Sequence, residues 1–246
     1  MNWMNELTAE FEKTFIRDDR YKVFVTGFKN TILITLVSLC VGLIAGILIA
    51  IARYGFRQMK RKAAVTWYAK LWYAIFWVAD KILALYVAVI RGVPLVVQLL
   101  IMAFVVMAGF PKKIVVCCIA MGLNSAAYVS EVVRGGINAV DIGQMEAGRS
   151  LGLSTATTIF FIILPQAFKS ALPALCNEGI AVLKETSIVG YIAVVDLTRA
   201  SDLVRSRTMA PMMPLFFIAA VYFACVMILS FGVSFLERRL KQGDRG

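Results

Sequence analysis

"DIGQMEAGRSLGLSTATTIFFIILPQA", residues 141–167, is polar, glycine-bearing and charged over its first half, yet strongly apolar segments flank it on both sides. Its punctuation reads as local structure. Asp141 can cap a helix whose N3 residue is Gln144, so DIGQ approximates a capping box, and Gly152 can supply a left-handed terminator. About two turns of helix fit between them. Ser154 can cap a second short helix through TIFFIILP, a run that Pro165 ends before the chain restarts. The pattern predicts a small surface helix held rigidly against apolar structure, a shape suited to docking.

The flanks set the solvent. The 246 residues are 60% hydrophobic and only 17% charged, with a mean hydropathy of +0.79, too apolar for a water-soluble domain with a polar surface. Runs of about 20 apolar residues, enough to cross a hydrocarbon core of about 30 Å, recur along the chain. One polytopic, all-α integral membrane domain is the expectation. The net charge of +11 does not point to nucleic acid, because Arg and Lys gather between apolar segments: Arg53, Arg57, Lys60, Arg61 and Lys62, then Arg238, Arg239 and Lys241. That is positive-inside placement and contact with anionic lipid headgroups. The absence of histidine excludes HExxH zinc sites, Ser-His-Asp triads and histidine proton relays. Cys40, Cys117, Cys118, Cys176 and Cys225 lie in apolar or presumed helical segments without metal-ligand spacing and read as packing residues. Neither a metal site nor a catalytic residue is expected. The first twenty residues lack the apolar core of a cleavable signal peptide.

Residues 1–21 carry Trp3, Leu7, Phe11, Phe15 and Ile16 at near-helical spacing, which predicts an amphipathic segment at the membrane surface. The membrane domain is expected over residues 22–240, with a cytoplasmic loop at 135–168 and a basic tail at 241–246. A first span covers about 23–52 and is followed by the basic RYGFRQMKRK. Residues 63–90 mix Lys70, Asp80 and Lys81 with Trp67, Trp72 and Trp77. A surface-lying aromatic helix leading into a second span fits that mixture, with an added crossing over 64–79 as the competing reading. The next span includes RGVPLVVQLLIMAFVVM, then turns at AGFPKK. A third helix, about 114–134, ends at the glycines of RGGINAVDIGQ. A fourth span covers about 173–195, DLTRASDLVRSRTMAP is a polar loop, and a last helix covers about 212–236. About five transmembrane helices result. With the basic loop and tail inside, the N-terminus lies outside, and the C-terminus and residues 141–167 are cytoplasmic.

The opening stretch resembles the EAA loop of ATP-binding-cassette importer permeases: Glu-Ala-Ala, three residues, Gly, nine residues, Ile, one residue, Leu-Pro. The matching positions are Glu146, Ala147, Gly148, Gly152, Ile162, Leu164 and Pro165, with Gly148 in place of the second alanine. Glycine there should weaken the helix by about 1 kcal/mol relative to alanine, making 148 the position where distortion is expected. RGVPLVVQLL from Arg91, LNSAAYVSEVVRGGI from Leu123, GQMEAGRSLG from Gly143, LPQAFKSALPAL from Leu164, LKETSIVG from Leu183 and LERRL from Leu236 are similar to the amino-acid importer branch. Together they cover most of residues 22–240 in the expected order. Two features depart: Met145 stands where the branch usually has Trp, and the segment before Arg91 is longer than usual.

The resemblance implies a type I ABC importer-like fold with a cytoplasmic EAA coupling helix, in the bacterial cytoplasmic membrane. It implies a permease subunit, not an enzyme, that translocates amino acids and pairs with a second permease chain, the same or homologous. Two ATP-binding-cassette ATPase subunits would carry ATP and Mg, since this chain binds no cofactor and has no GxxxxGK[ST] loop of its own. An extracytoplasmic amino-acid-binding protein would deliver substrate. Coupling would run through Gln144, Glu146, Ala147, Gly148, Gly152 and Leu153. The alternative is a stand-alone channel or ion-coupled secondary carrier, for which paired repeats with interrupted helices are expected and no convincing repeat occurs.

The substrate pathway has several candidates. Asn124, Tyr128 and Glu131 recur at i, i+4 and i+7 and make one helix face polar. Ionisable residues inside a membrane are costly and face a cavity or a partner. Glu131 is either the partner of a substrate ammonium or half of a structural pair with Arg134 at i+3. Gln98, Lys184, Glu185, Thr186 and Ser187 are further candidates, with Lys184 and Glu185 also readable as a neutralising pair. Pro94, Pro165 and Pro173 either open backbone groups to a cavity or kink helices for packing.

Overall fold

A computed structural model describes residues 2–59 and 67–242. They form helices and short connections, with no strand among them. Five helical stretches are long and apolar enough to cross a membrane: Tyr21–Phe56, Lys70–Gly92, Lys113–Ala139, Thr155–Ile192 and Met212–Leu240. The number matches the sequence expectation, but the second stretch is placed differently.

Helix α1 (Asn2–Phe11) leads through a π-type turn (Glu12–Ile16) and a 3-10 turn (Arg17–Asp19) into α2 (Tyr21–Met59). α2 outruns its expected end at 52 because nothing in RYGFRQM breaks a helix. The rest of the expected basic loop, Lys60, Arg61 and Lys62, lies outside the described residues, as do 63–66 and 243–246 of the tail. α3 (Trp67–Gly92) is one 26-residue helix. Residues 67–79 therefore add no crossing of their own, and the aromatic segment is continuous with Arg91. The span expected from Arg91 is divided instead. Arg91 and Gly92 end α3, and α4 (Leu95–Ile101) with its π-type continuation Met102–Val106 is a shorter apolar piece. Pro94 accounts for the break, since it has no N–H to donate and drives Val93 out of the helical region.

α5 (Lys113–Ala139) runs straight through Gly135 and Gly136, which were expected to stop it. Gly136 has a packing role: a Cβ there would lie 2.6 Å from the Ala167 carbonyl oxygen. After α6 (Ile142–Ser150) and α7 (Thr155–Thr158), a π-type turn (Ile159–Ile163) passes directly into α8 (Leu164–Glu185). Pro165 does not end this run. The wider turn that precedes it gives room for the ring and for the carbonyl its missing N–H leaves unpaired. The fourth membrane stretch thus starts well before residue 173, and Pro173 lies inside it.

A 3-10 turn (Thr186–Ile192) ends at Ala193 in the left-handed region, φ 62°. The expected polar loop is then a helix, α9 (Leu197–Thr208). The Asp196 carboxylate caps it by accepting from the backbone N–H groups of Thr198 and Arg199, both at 2.9 Å. Burial pushes that carboxyl above its ordinary value, against the pull of the cap hydrogen bonds. α10 (Met212–Gln242) completes the chain.

The chain divides into two compact units. One comprises residues 1–38, 96–121 and 179–235. Its core holds Phe15, Phe24, Leu197, Ala200, Val204 and Ile218, with Phe15, Phe24 and Phe217 in mutual ring contact at 4.8–5.4 Å. Within residues 1–21, Met4, Leu7 and Phe11 of α1 are exposed, whereas Thr14 and Phe15 are buried. Asn30 Nδ2 donates to the Val195 carbonyl at 2.8 Å, and the Leu197 N–H donates to Thr31 Oγ1 at 3.3 Å.

The other unit comprises residues 39–95, 122–178 and 236–246. Its core packs Ala50, Val129, Val133, Ile137, Ile163, Ala167, Ala171 and Leu175. Gly42 and Gly46 of α2 lie so close to Ser125 and Val129 of α5 that a Cβ at either would come within 2.5–2.6 Å. Small residues at such crossings let membrane helices approach closely, where dispersion replaces the missing hydrophobic drive.

Candidate functional site

α6 is fixed at both ends. Asp141 Oδ1 accepts from the Gly143 N–H at 2.6 Å. Gln144 does not reach back to complete the capping box; its amide oxygen accepts instead from Gln166 Nε2 at 3.4 Å. At the other end Gly152 takes φ 80°. The Gly152 N–H donates to the Arg149 carbonyl and the Leu153 N–H to the Gly148 carbonyl, both at 3.1 Å. Those paired bonds are a Schellman termination, and Arg149 Nη1 adds a bond to the Leu153 carbonyl at 2.9 Å. Ser154 then caps α7, accepting from the Thr157 N–H at 3.1 Å.

Gly148 does not distort the helix. It is buried, and a Cβ there would lie 2.6 Å from Thr158 Cγ2 and 2.8 Å from Thr158 Oγ1. Thr158 is itself fully buried and held by its hydroxyl donating to the Ser154 carbonyl at 3.0 Å. Glycine lets α6 lie directly on α7. Met145, three residues earlier on the same side, packs against the core that holds Ile163 and Ala167. Glu146 and Arg149 lie away from that contact and are exposed, as are Ala147 and Gln144 at its margin, with Ile142 at 68% and Leu151 at 80% exposure at the two ends.

Glu131 sits among guanidinium groups. Arg134 donates to its carboxylate at 2.7 and 3.0 Å, Arg53 at 3.4 Å, and Arg91 lies 3.7 Å away. Arg53 also pairs with Asp80 at 3.3 Å, both nearly buried. The network ties α2, α3 and α5 and holds three cationic to two anionic side chains. The expected i, i+3 pair with Arg134 is therefore present, inside a larger assembly. Tyr128 offers its ring face to the Arg91 guanidinium at 5.3 Å, and Asn124 is buried. Glu178, which the sequence reading passed over, accepts from Ser125 Oγ at 2.8 Å.

Gln98, Lys184, Glu185, Thr186 and Ser187 belong to the other unit. Lys184 is exposed, Thr186 is buried with its hydroxyl on the Leu183 carbonyl at 2.7 Å, and Ser187 lines a cleft beside α9. Asp80 and Arg91, missed as partners, are 11 residues apart and so share one helix face after about three turns. Arg53 was concealed by its place in a basic loop. No group of residues fit to hold a metal occurs among the described residues.

The model of the family described as binding-protein-dependent transport system inner membrane component matches residues 66–242. The chain belongs to this family. The permease is 36% identical over 226 residues to the arginine transport system permease protein ArtQ of Bacillus subtilis, covering 89% of this chain and 92% of that one. It is 33% identical to the putative glutamine transport system permease protein GlnP of Rickettsia conorii, over 89% and 94% of the two chains. Among solved structures it resembles an amino acid ABC transporter crystallised with histidines, at 35% identity, TM-score 0.76, and 89% and 94% coverage. An inward-facing MetNI methionine ABC transporter, at 16% identity and TM-score 0.72, covers 91% and 98% and shares the fold. The permease is a membrane transport subunit of an ATP-binding-cassette importer, with the all-helical type I importer fold. That replaces the stand-alone channel or secondary carrier. Its family implies ATPase partners, which carry the ATP, and a partner permease chain.

Proposed function

We propose that this permease translocates amino acids and that α6 is the part on which an ATPase subunit pulls. The build of α6 carries the coupling reading: both ends are fixed, one side is seated on α7 and the core, and the other side presents Ile142, Glu146, Arg149 and Leu151 to solvent. Exposed apolar residues at both ends of a rigid, charged helix fit a groove in a partner. The amino-acid cargo is supported by the names of the relatives and of the similar structure.

In the mechanism, closure of two ATPases on ATP draws together the α6 helices of two permease chains. The pull enters through Met145 and the Gly148–Thr158 contact into the core that includes Ile163 and Ala167. There the Gly136–Ala167 contact couples α8 to α5. Gln144, through its bond to Gln166, adds a second connection from α6 to α8. Hydrolysis releases the closure. Glu131 serves as a tie between helices, because three guanidiniums already outweigh its charge and a substrate ammonium arriving there would be repelled. Asn124 and Tyr128 remain candidates in their unit, and Gln98, Lys184, Glu185, Thr186 and Ser187 separate candidates in theirs. The N-terminus faces outward, where a binding protein delivers substrate, and the C-terminus faces the cytoplasm with its basic residues against anionic lipid.

Reconstitution with the ATPase partners tests this. Glu146→Lys should abolish uptake of labelled amino acid while the permease still inserts and the ATPases still hydrolyse. Uptake that persists in membranes without any ATPase partner would overturn the coupling reading.

A further inference from the structure

Beside α9 lies a cleft of about 290 Å³ lined by Ser187, Gly190, Tyr191, Thr198, Arg199 and Asp202, all within one compact unit. A second cleft of about 690 Å³ shares Arg199 and Asp202. The smaller one approaches the lower size of small-ligand sites, about 300 Å³. The stem of Arg199 lies flat over Gly190: a Cβ on that glycine would stand 3.3 Å from Arg199 Cβ, 3.5 Å from Cδ and 3.7 Å from Cγ. A methyl at 190 would require the arginine stem to give by a few tenths of an ångström.

The two charges of the cleft do not cancel one another. Arg199 makes no side-chain hydrogen bond or ion pair among the described residues, and Asp202 uses Oδ1 for Arg205 at 2.9 Å, leaving Oδ2. A guanidinium presents a planar fork that matches a carboxylate, and a carboxylate oxygen accepts from an ammonium. A purely anionic ligand would meet Asp202, and a purely cationic one would meet Arg199 and Arg205. A ligand carrying one charge of each sign on neighbouring atoms satisfies both.

We infer that this cleft is a receiving site for a free amino acid, with Arg199 taking the α-carboxylate and Asp202 the α-ammonium; the inference rests on the amino-acid cargo proposed above. On the proposed topology the cleft opens on the side where the binding protein releases its cargo. The side chain of the amino acid then points toward the larger cleft by Leu203 and Met209.

The test uses the permease with its ATPase partners in lipid nanodiscs, without binding protein, and measures binding of L-glutamine and L-arginine by saturation-transfer NMR. For whichever binds, its α-amide, which lacks the carboxylate, and its N-acetyl form, which lacks the ammonium, should each bind about 10- to 100-fold more weakly, the worth of one charge-assisted bond. Arg199→Gln should weaken the parent amino acid by a similar factor and erase its advantage over the amide. Asp202→Asn should erase its advantage over the N-acetyl form. Arg205→Gln, which breaks the same ion pair but leaves the carboxylate, should keep both advantages. Unchanged ligand ranking in Arg199→Gln and Asp202→Asn, or variants that weaken only docking of the binding protein, would overturn the site. Uptake by wild type with binding protein in proteoliposomes reads the transport function separately. Uptake without the ranking removes this site alone, and no uptake of any amino acid removes both.

Discussion

Gly148→Ala restores the residue that the EAA pattern has at this position, and on helix propensity alone it should stabilise α6 by about 1 kcal/mol. The structure predicts the opposite sign. The new methyl would stand 2.6 Å from Thr158 Cγ2 and 2.8 Å from Oγ1, and Thr158 is fully buried with its hydroxyl committed to Ser154. Overpacking of this kind costs about 1–3 kcal/mol, so the substitution should come out neutral to about 2 kcal/mol destabilising. Thr158→Ala removes the two atoms nearer than 3.0 Å, leaving the residue's Cβ at 3.2 Å, and alone costs about 1–3 kcal/mol through a lost methyl and a lost hydrogen bond. In that background Gly148→Ala should gain its propensity, giving a coupling energy of about 1–3 kcal/mol between the two sites. Thermal unfolding of the four purified proteins in one detergent reads the cycle, and uptake per ATP hydrolysed reads whether a displaced α6 still transmits. A Gly148→Ala protein clearly more stable than wild type, or a cycle with no coupling, would refute the argument that the glycine exists to seat α6 on α7.

Gly136→Leu should be more damaging than Gly135→Leu, because only the former meets a backbone carbonyl that cannot move aside, that of Ala167; yield of folded permease and its unfolding midpoint will show the difference. Glu131→Gln removes the carboxylate shared by Arg53, Arg91 and Arg134. Because Arg91 and Arg134 are partly exposed and Arg53 keeps Asp80, it should lose about 1–3 kcal/mol of stability; loss of uptake with an unchanged unfolding midpoint would instead make Glu131 a substrate contact. Asp196→Ala should cost about 1–2 kcal/mol as the α9 cap is lost. Because the native Asp196 carboxyl is raised by burial, its contribution is fully present below the unfolded-state value and is lost as pH rises through the native one. Asp196→Asn should therefore flatten the decline of the unfolding midpoint as pH climbs out of the ordinary carboxylate range, about pH 4; an unaltered pH profile would contradict the assignment.

The caps of α6 and α7 were legible because capping is local: Asp141, Gly152 and Ser154 act on residues no more than a few positions away. The five membrane stretches were legible because transfer energy sums over a window and tolerates errors at its edges. Contacts between distant residues were not. Gly136 reads as a terminator until Ala167 is seen against it, and Gly148 reads as a weakness until Thr158 is. α9 was missed because its polar composition suits a loop and its apolar side, Leu197, Ala200 and Val204, is short. Phe15 looks like one more residue of a surface helix, but the π-type turn rotates it into the core. Glu131 offered one sequence-local partner, and the other two came from helices far away in the chain.

The fixed ends of α6 bear on the timing of the transport cycle. A loop that folded only when it met its partner would surrender about 1–2 kcal/mol of backbone entropy per residue each time it docked. Over the 9 residues of α6 that is on the order of 10 kcal/mol per chain, to be recovered from the contact itself. A segment already in its bound shape meets no such demand. It can engage through a modest surface and let go quickly, which a machine that closes and reopens with every nucleotide turnover requires.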